Sequence, residues 1–204
     1  MNKKITVYDM AVVGLMAAMV FVSTALLKIG PIMTPAGPTQ LKTGNVICLL
    51  AGLLFGGWRG GLAAGIGSAL YDLSDPTFAS SAPFTLVFFF VMGALPGLIS
   101  HLGGRDGLDR KWNLLGCIAG SGSYLVLHLG KSLITLLLEG SDFRAAVTAC
   151  TVKFITSGIN AVFAIVVAFL LAPALHSALE KAGVMQKLRH GHSHTAPQHQ
   201  QAQG

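Results

Sequence analysis

Five polar side chains recur along one apolar stretch of the chain. They are Ser121, Tyr124, His128, Lys131 and Thr135, with successive spacings of 3, 4, 3 and 4 residues. This spacing places all five on one face of an α-helix. An ionisable side chain inside a membrane span is costly and is by default a candidate for function. A lysine there could hold an anionic group of a substrate, and Tyr124 could stack or donate a hydrogen bond.

A second polar face follows in the next apolar stretch, which carries Lys153, Ser157 and Asn160, while Asp72 ends an earlier stretch. With about 1.5 Å of rise per residue, Lys131 lies roughly 10 Å and Lys153 about 6 Å from the outer ends of their predicted helices. Three helices then place charge in the outer half of the bilayer, and the inner half has almost none. This asymmetry favours a cavity open to the outside over a channel or proton-coupled carrier that is polar through its full depth.

The candidate substrate-binding residues share this outer location. They are Asp72, Tyr124, His128, Lys131, Lys153, Ser157 and Asn160. One alternative remains open at this point: Asp72 could form a structural pair with a lysine, and Asn160, which could otherwise fix a ligand's orientation, could bond between helices.

Catalytic patterns are sparse. Gly120-Ser121-Gly122-Ser123 with His128 is the best arrangement for an intramembrane serine hydrolase, but glycine packing explains the glycines better. The chain has no paired carboxylates on a helix, no H-E-x-x-H motif and no P-loop. We therefore predict that it is not an enzyme and does not itself hydrolyse ATP. The three cysteines, Cys48, Cys117 and Cys150, fit neither a disulfide framework nor a zinc motif.

The composition is that of a membrane protein. Of 204 residues, 52% are hydrophobic and 11% are charged, whereas a soluble domain averages about 25% charged residues. The net charge of +6 could suggest nucleic-acid binding, but the distribution of the charges along the chain argues against it. A soluble, disordered or disulfide-stapled chain is also excluded.

Charge-free stretches predict an all-α integral membrane protein with six transmembrane helices, of which helices two and three are short. The spans are 7–28, 42–57, 59–72, 84–102, 113–138 and 149–179. With both termini cytoplasmic, nine Lys and Arg residues lie inside and only Lys28, Lys42 and Arg144 lie outside, as the positive-inside rule requires. Merging the short pair would export the cluster Arg105, Arg110 and Lys111. We also expect the first helix to be retained, since no signal-peptide cleavage site stands out.

Small residues mark the predicted helix contacts. Glycines recur four apart at Gly52, Gly56 and Gly60, and again at Gly93 and Gly97, a spacing that lets membrane helices approach closely. The first helix carries a separate small-residue face that could pack inside the bundle or contact a partner subunit. It consists of Ala11, Gly14, Ala18 and Ala25.

Two external segments and the tail complete the organisation. Segment 29–41 holds three prolines, at 31, 35 and 38, and is expected to be an ordered, non-helical loop. Segments 29–41 and 73–83 could cap a pocket or simply connect helices.

Residues 1–185 form the membrane domain, and the His-rich tail 186–204 is expected to be disordered. The alternating His190, His192 and His194 could bind a transition metal weakly, which keeps a metal-uptake subunit as an alternative function.

Residues 49–73, LLAGLLFGGWRGGLAAGIGSALYDL, resemble the second and third helices of the substrate-binding S components of energy-coupling factor (ECF) vitamin transporters. The family's helices read Gly-x-Leu-Phe-Gly-Pro, then Gly, then small residues ending in Asp-Leu. Ala82-Pro83-Phe84, the six spans and the late Asn160 fit as well. Here Gly57 replaces a common proline, and Gly14 replaces the first alanine of the family's Ala-x-x-x-Ala face, which ends at Ala18.

The resemblance implies a substrate-binding subunit of the cell membrane that captures a small water-soluble vitamin or precursor from outside. It implies two kinds of partner, a membrane coupling (T) subunit and two cytoplasmic ATPase subunits, with ATP used by the ATPases and no cofactor bound by this chain. Residues 29–41 would be the lid, helices four to six the pocket wall, and Ala11, Gly14 and Ala18 the partner interface. A self-sufficient secondary carrier is the remaining transport alternative.

Overall fold

A computed structural model describes residues 5–105 and 107–186, and this part of the chain is mostly helical. Its six α-helices are α1 (Val7–Leu26), α2 (Gly44–Phe55), α3 (Gly57–Ser74), α4 (Ala82–His101), α5 (Arg110–Leu138) and α6 (Phe143–Lys181). The helices α1, α4, α5 and α6 are long and apolar enough to cross a membrane, and α2 is a shorter apolar helix. The predicted His cluster at residues 190–199 lies outside the described residues.

The helix boundaries lie close to the predicted ones, and the largest differences are in α2, α3 and α6. Helix α2 has 12 residues, four fewer than the predicted span 42–57. Helix α3 has 18 residues, four more than the predicted span 59–72, because it starts directly after Gly56 and runs through Asp72 to Ser74. Helix α6 has 39 residues, or roughly 58 Å at 1.5 Å per residue, which exceeds the hydrocarbon thickness of about 30 Å. Apolar periodicity alone does not show where such a helix leaves the bilayer.

The Pro-rich segment between α1 and α2 forms a β-hairpin, which the all-α prediction did not include. Strand β1 (Lys28–Ile32) pairs antiparallel with β2 (Thr39–Lys42). Prolines at 31, 35 and 38 remove backbone donors and prevent a helix here, so the backbone of the segment is satisfied by strand pairing instead. The expectation of an ordered, non-helical segment is confirmed.

Helix contacts centre on the glycines. A Cβ built on Gly97 would lie 2.3 Å from the Gly56 carbonyl carbon, and one on Gly93 would lie 2.5 Å from the Gly60 carbonyl oxygen. These positions bring α2, α3 and α4 into backbone contact, and the predicted packing role of the four-residue repeats is confirmed. Gly67 brings α3 equally close to α1, since its Cβ would lie 2.4 Å from the Ala17 carbonyl oxygen.

Helix α1 presents two different faces. Met16, Ala17 and Val20 are buried in the core, and the Asp9 carboxylate pairs with the Arg59 guanidinium of α3 at 2.6 Å. The predicted interface residues Ala11, Gly14 and Ala18 are all exposed. The small-residue face of α1 therefore does not pack within the described part of the bundle.

Candidate functional site

A cavity lies at the end of the bundle where the hairpin meets α3, α4, α5 and α6. About 670 Å³ of space there is not filled by protein, and this figure includes open solvent. All seven residues predicted for substrate binding line it: Asp72, Tyr124, His128, Lys131, Lys153, Ser157 and Asn160. The side-chain spacing on α5 and α6 therefore brings these residues together as expected.

The strand β2 adds residues that the sequence analysis missed. Gln40 and Lys42 line the cavity and are 5% and 8% exposed, although Lys42 had been counted only as an outer topological charge. Residues two apart on a strand point to the same side, so the pair Gln40-x-Lys42 would have been a usable signal once a strand was expected. Aromatic and hydroxyl side chains from the α3–α4 connection and α4 complete the lining: Phe78, Ser81, Phe84, Thr85, Phe88 and Phe89.

The lysines on α5 and α6 are bonded to neutral oxygen atoms. The Lys131 ammonium donates to Ser81 Oγ at 3.0 Å and lies 4.4 Å from the centroid of the Phe84 ring. The Lys153 ammonium donates to the Ala36 carbonyl at 2.7 Å and to Ser132 Oγ at 2.9 Å. In the described residues neither lysine has a carboxylate within 4.0 Å, so the alternative of a direct Asp72–lysine pair is not what the structure shows.

Asp72 of α3 also lines the cavity and is 4% exposed. Its carboxylate accepts a hydrogen bond from Thr85 Oγ1 at 2.5 Å and interacts electrostatically with Lys42 and, less strongly, with Lys131. Lys42 itself lies over the Phe89 ring, 4.4 Å from its centroid. The cavity thus contains both signs of charge together with aromatic rings.

Three rings in contact with one another, those of Phe89, Tyr124 and His128, line part of the cavity. The rings of Phe89 and Tyr124 have centroids 4.6 Å apart, and the Tyr124 and His128 rings stack with centroids 5.3 Å apart. Such surfaces favour planar, conjugated groups of a ligand, because offset ring contacts add to the burial of apolar area.

Asn160 holds the hairpin against α6. Its Oδ1 accepts from the Lys42 backbone N–H at 3.0 Å, and its Nδ2 donates to the Gln40 carbonyl at 2.8 Å. Both bonds are buried. The amide therefore replaces a missing strand partner along β2 and fixes where Gln40 and Lys42 enter the cavity.

The outer side of the hairpin has its own anchor. Lys28 Nζ lies 3.0 Å from the Asp75 carboxylate and donates to Tyr71 Oη, and these bonds raise the pKa of Lys28. Partial burial alone would raise the pKa of Asp75, but hydrogen bonds from Lys28, Thr77 and Tyr71 outweigh it and hold that pKa below its ordinary value.

The Lys28–Asp75 anchor predicts a pH-dependent stability difference between wild type and Asp75→Asn. The depressed pKa of Asp75 gives stability that is present above about pH 4 and is lost as pH falls through the folded pKa. The raised pKa of Lys28 gives stability that is lost only above about pH 10. Thermal unfolding in detergent at pH 7 should show the variant less stable by about 0.2–1 kcal/mol. The difference should shrink at pH 3, and Glu139→Gln should show neither effect; an equal difference at both pH values would contradict the prediction.

Hydrolase and metal chemistry find little support in the described geometry. Ser123 Oγ donates to the Gly120 carbonyl of its own helix, and Ser121 Oγ is buried without a hydrogen-bond partner. Within the described part of the chain neither serine is hydrogen-bonded to His128. Across residues 5–105 and 107–186 no cluster of three or more His, Cys, Asp or Glu residues could hold a metal ion. The three cysteines are free and buried, as expected for small apolar side chains.

Apolar helices of membrane-spanning length around a charged and aromatic cavity define a membrane protein with a candidate ligand site. The family model for the ECF-type riboflavin transporter S component matches residues 4–177, and the chain belongs to this family of transporter substrate-binding components. A protein of Pyrococcus woesei described as "Uncharacterized protein in gap 3'region" is 36% identical over 121 residues, covering 59% of this chain and 74% of its own length. No solved structure matches the chain significantly.

Proposed function

We propose that this protein captures a small water-soluble vitamin or vitamin precursor from the extracellular side, as the substrate-binding subunit of an ATP-driven ECF importer. The cavity carries the proposal: it gathers lysines, an aspartate and stacked aromatic rings at one end of an otherwise apolar bundle. Six spans with both termini cytoplasmic would place this end outside the plasma membrane, and the distribution of Lys and Arg supports that orientation.

Riboflavin is the first substrate to test, because the description of the matching family names it. The experiment is to purify the protein from its native membrane and identify the co-purified small molecule by mass spectrometry. We expect a vitamin or precursor of a size that fits the cavity. Uptake into vesicles that contain this chain without any ATPase module would contradict the ATP-driven assignment.

The exposed small-residue face of α1 supports a coupling subunit as a partner. A Cβ on Gly14 would meet no atom within 4 Å and Ala18 is exposed, so we expect the bundle itself to tolerate Gly14→Leu and Ala18→Leu. We expect each variant to lose copurification with the coupling subunit by at least about tenfold, as for a side chain forced into a close helix contact, while ligand binding stays unchanged.

Gly122→Leu is the matched control for the α1 variants. Gly122 also has open space around its Cβ position, and it lies on the face of α5 that exposes Ile118 and Val126. This variant should copurify like wild type. Normal complexes with both Gly14→Leu and Ala18→Leu would contradict the assignment of the α1 face.

A further inference from the structure

The cavity has an excess of positive charge. Its described lining includes three lysines, Lys42, Lys131 and Lys153, and one carboxylate, Asp72. Lys42 and Lys153 are 8% and 5% exposed. Buried charge in a low-dielectric environment is costly unless it is compensated by an opposite charge.

Asp72 compensates only one side of the cavity. Its strongest electrostatic interaction with a lysine is with Lys42, and a weaker one reaches Lys131. Among the described residues no carboxylate lies within 4.0 Å of Lys153, and Lys131 is close enough for the two ammonium groups to repel each other. The uncompensated charge is therefore concentrated at Lys131 and Lys153.

Both ammonium groups contact loop segments that border the cavity. Lys131 contacts Ser81 of the α3–α4 connection, and Lys153 contacts Ala36 at the tip of the hairpin. An ammonium has three N–H donors; Lys131 uses one and Lys153 uses two on neutral oxygens of the described residues. Each thus keeps at least one donor for a further acceptor, and Ser132, which follows Lys131 in the sequence, accepts from Lys153.

Tyr124 and Phe89 provide an aromatic surface in the same cavity. Tyr124 precedes Lys131 by seven residues on α5, or two helical turns, which is about 10 Å along the axis. Phe89 packs beside Tyr124, and His128 stacks on it from the side of Lys131. Along α5 the stacked rings of Tyr124 and His128 thus precede Lys131, whose ammonium lies over the Phe84 ring.

We infer that the site binds an elongated ligand with a planar ring at Tyr124 and Phe89 and an anionic group, a carboxylate or a phosphate, between Lys131 and Lys153. The ring and the anionic group are separated by about 10 Å. This inference rests on the proposed function, since it takes the cavity as the substrate site. It specifies the class of substrate: an acidic, ring-containing compound rather than a neutral one.

Inorganic phosphate tests the proposed anion-binding position between Lys131 and Lys153, here called the anion seat, without knowledge of the ligand. An anion that binds only the folded protein raises its unfolding temperature by mass action. We expect about 20 mM phosphate, against chloride of equal ionic strength, to raise the unfolding temperature of the purified protein in nanodiscs by about 3 °C. Lys131→Met and Lys153→Met should each lose most of this shift, and Arg144→Gln, which removes an exposed cation outside the cavity, should keep it.

No phosphate shift in the wild type, or an equal shift in the lysine variants, overturns the anion seat. Such a result would leave the proposed function standing if a neutral vitamin co-purifies. The opposite result is a phosphate shift that depends on both lysines in a protein that does not copurify with a coupling subunit. It would contradict the importer function and leave the anion seat supported.

Riboflavin and riboflavin 5′-phosphate test the pairing of ring end and anion seat, because they differ only in the phosphate group. We expect the 5′-phosphate to bind the wild type at least about tenfold more tightly than riboflavin, since a charge-assisted hydrogen bond is among the stronger polar interactions. The preference should fall to within about twofold in Lys153→Met. A 5′-phosphate that binds no better than riboflavin, or does not bind, overturns the pairing.

Discussion

Gly97→Ala is expected to prevent the native packing of α2, α3 and α4, although it adds a single methyl group. The new Cβ would lie 2.3 Å from both the Gly56 carbonyl carbon and the Gly57 backbone nitrogen, and 2.6 Å from the Gly52 carbonyl oxygen. All three atoms belong to backbone, so no side-chain rotamer can relieve the overlap. Overpacking of a core typically costs about 1–3 kcal/mol, and we expect a loss at the upper end of that range or beyond.

Gly122→Ala provides a control with the same chemical change in open space. No atom lies within 4 Å of the Cβ position of Gly122, and alanine is favoured over glycine in a helix by up to about 1 kcal/mol. The two substitutions should therefore change stability in opposite directions. The measurement is thermal unfolding in detergent together with the monodisperse yield after size exclusion; a Gly97→Ala protein as stable as wild type would show that the backbones are not in contact.

The glycine repeats also show how far the sequence predicts the fold. A four-residue spacing indicates close helix contacts in lipid, and it correctly marked Gly93 and Gly97. It does not say which helix lies opposite, so the close approach of Gly67 to Ala17 of α1 had no separate signal. Contacts of this kind depend on helix rotation, which many side chains set together.

The cavity-lining residues on α5 and α6 could be predicted from helical periodicity, and the lining residues on β2 could not. Lys131 and Lys153 could be found because an apolar background makes each charge conspicuous, and the 3–4 spacing assigns its face. Lys42 lies in a short strand between prolines and helix α2, where no helical repeat exists. Its burial results from the hairpin folding over the cavity, which depends on Asn160 of α6, 118 residues further along the chain.

The role of Asn160 also differs from the one that its residue type suggested. An amide in a membrane helix was expected to orient a ligand or to bond between helices. In the structure its side chain makes two hydrogen bonds to the backbone of β2, one to the Lys42 N–H and one to the Gln40 carbonyl. Asn160 lines the cavity as well, but both its amide oxygen and its amide nitrogen already bond to the hairpin. Its main effect on a ligand should therefore be indirect, through the position of β2.

Asn160→Leu is accordingly expected to release the hairpin and to weaken ligand binding by about 100-fold. Leucine is similar in size, but it leaves the Lys42 N–H and the Gln40 carbonyl without their buried partner. Each unsatisfied buried group costs about 1–3 kcal/mol, and 1.4 kcal/mol corresponds to a factor of ten in an equilibrium. Opening of the hairpin should relieve this cost by exposing both groups to water, which withdraws Gln40 and Lys42 from the cavity.

Hydrogen exchange separates this mechanism from a direct ligand contact. Amides of residues 28–43 should exchange about 100-fold faster in Asn160→Leu without any ligand present, because opening becomes more favourable by the cost of two unpaired groups. Thr156→Val is the matched control, since the Thr156 hydroxyl donates only to the Val152 carbonyl within α6. Wild-type exchange of the hairpin combined with weakened ligand binding would mean that Asn160 contacts the ligand directly. Fast exchange with unchanged ligand binding would mean that β2 does not form part of the site.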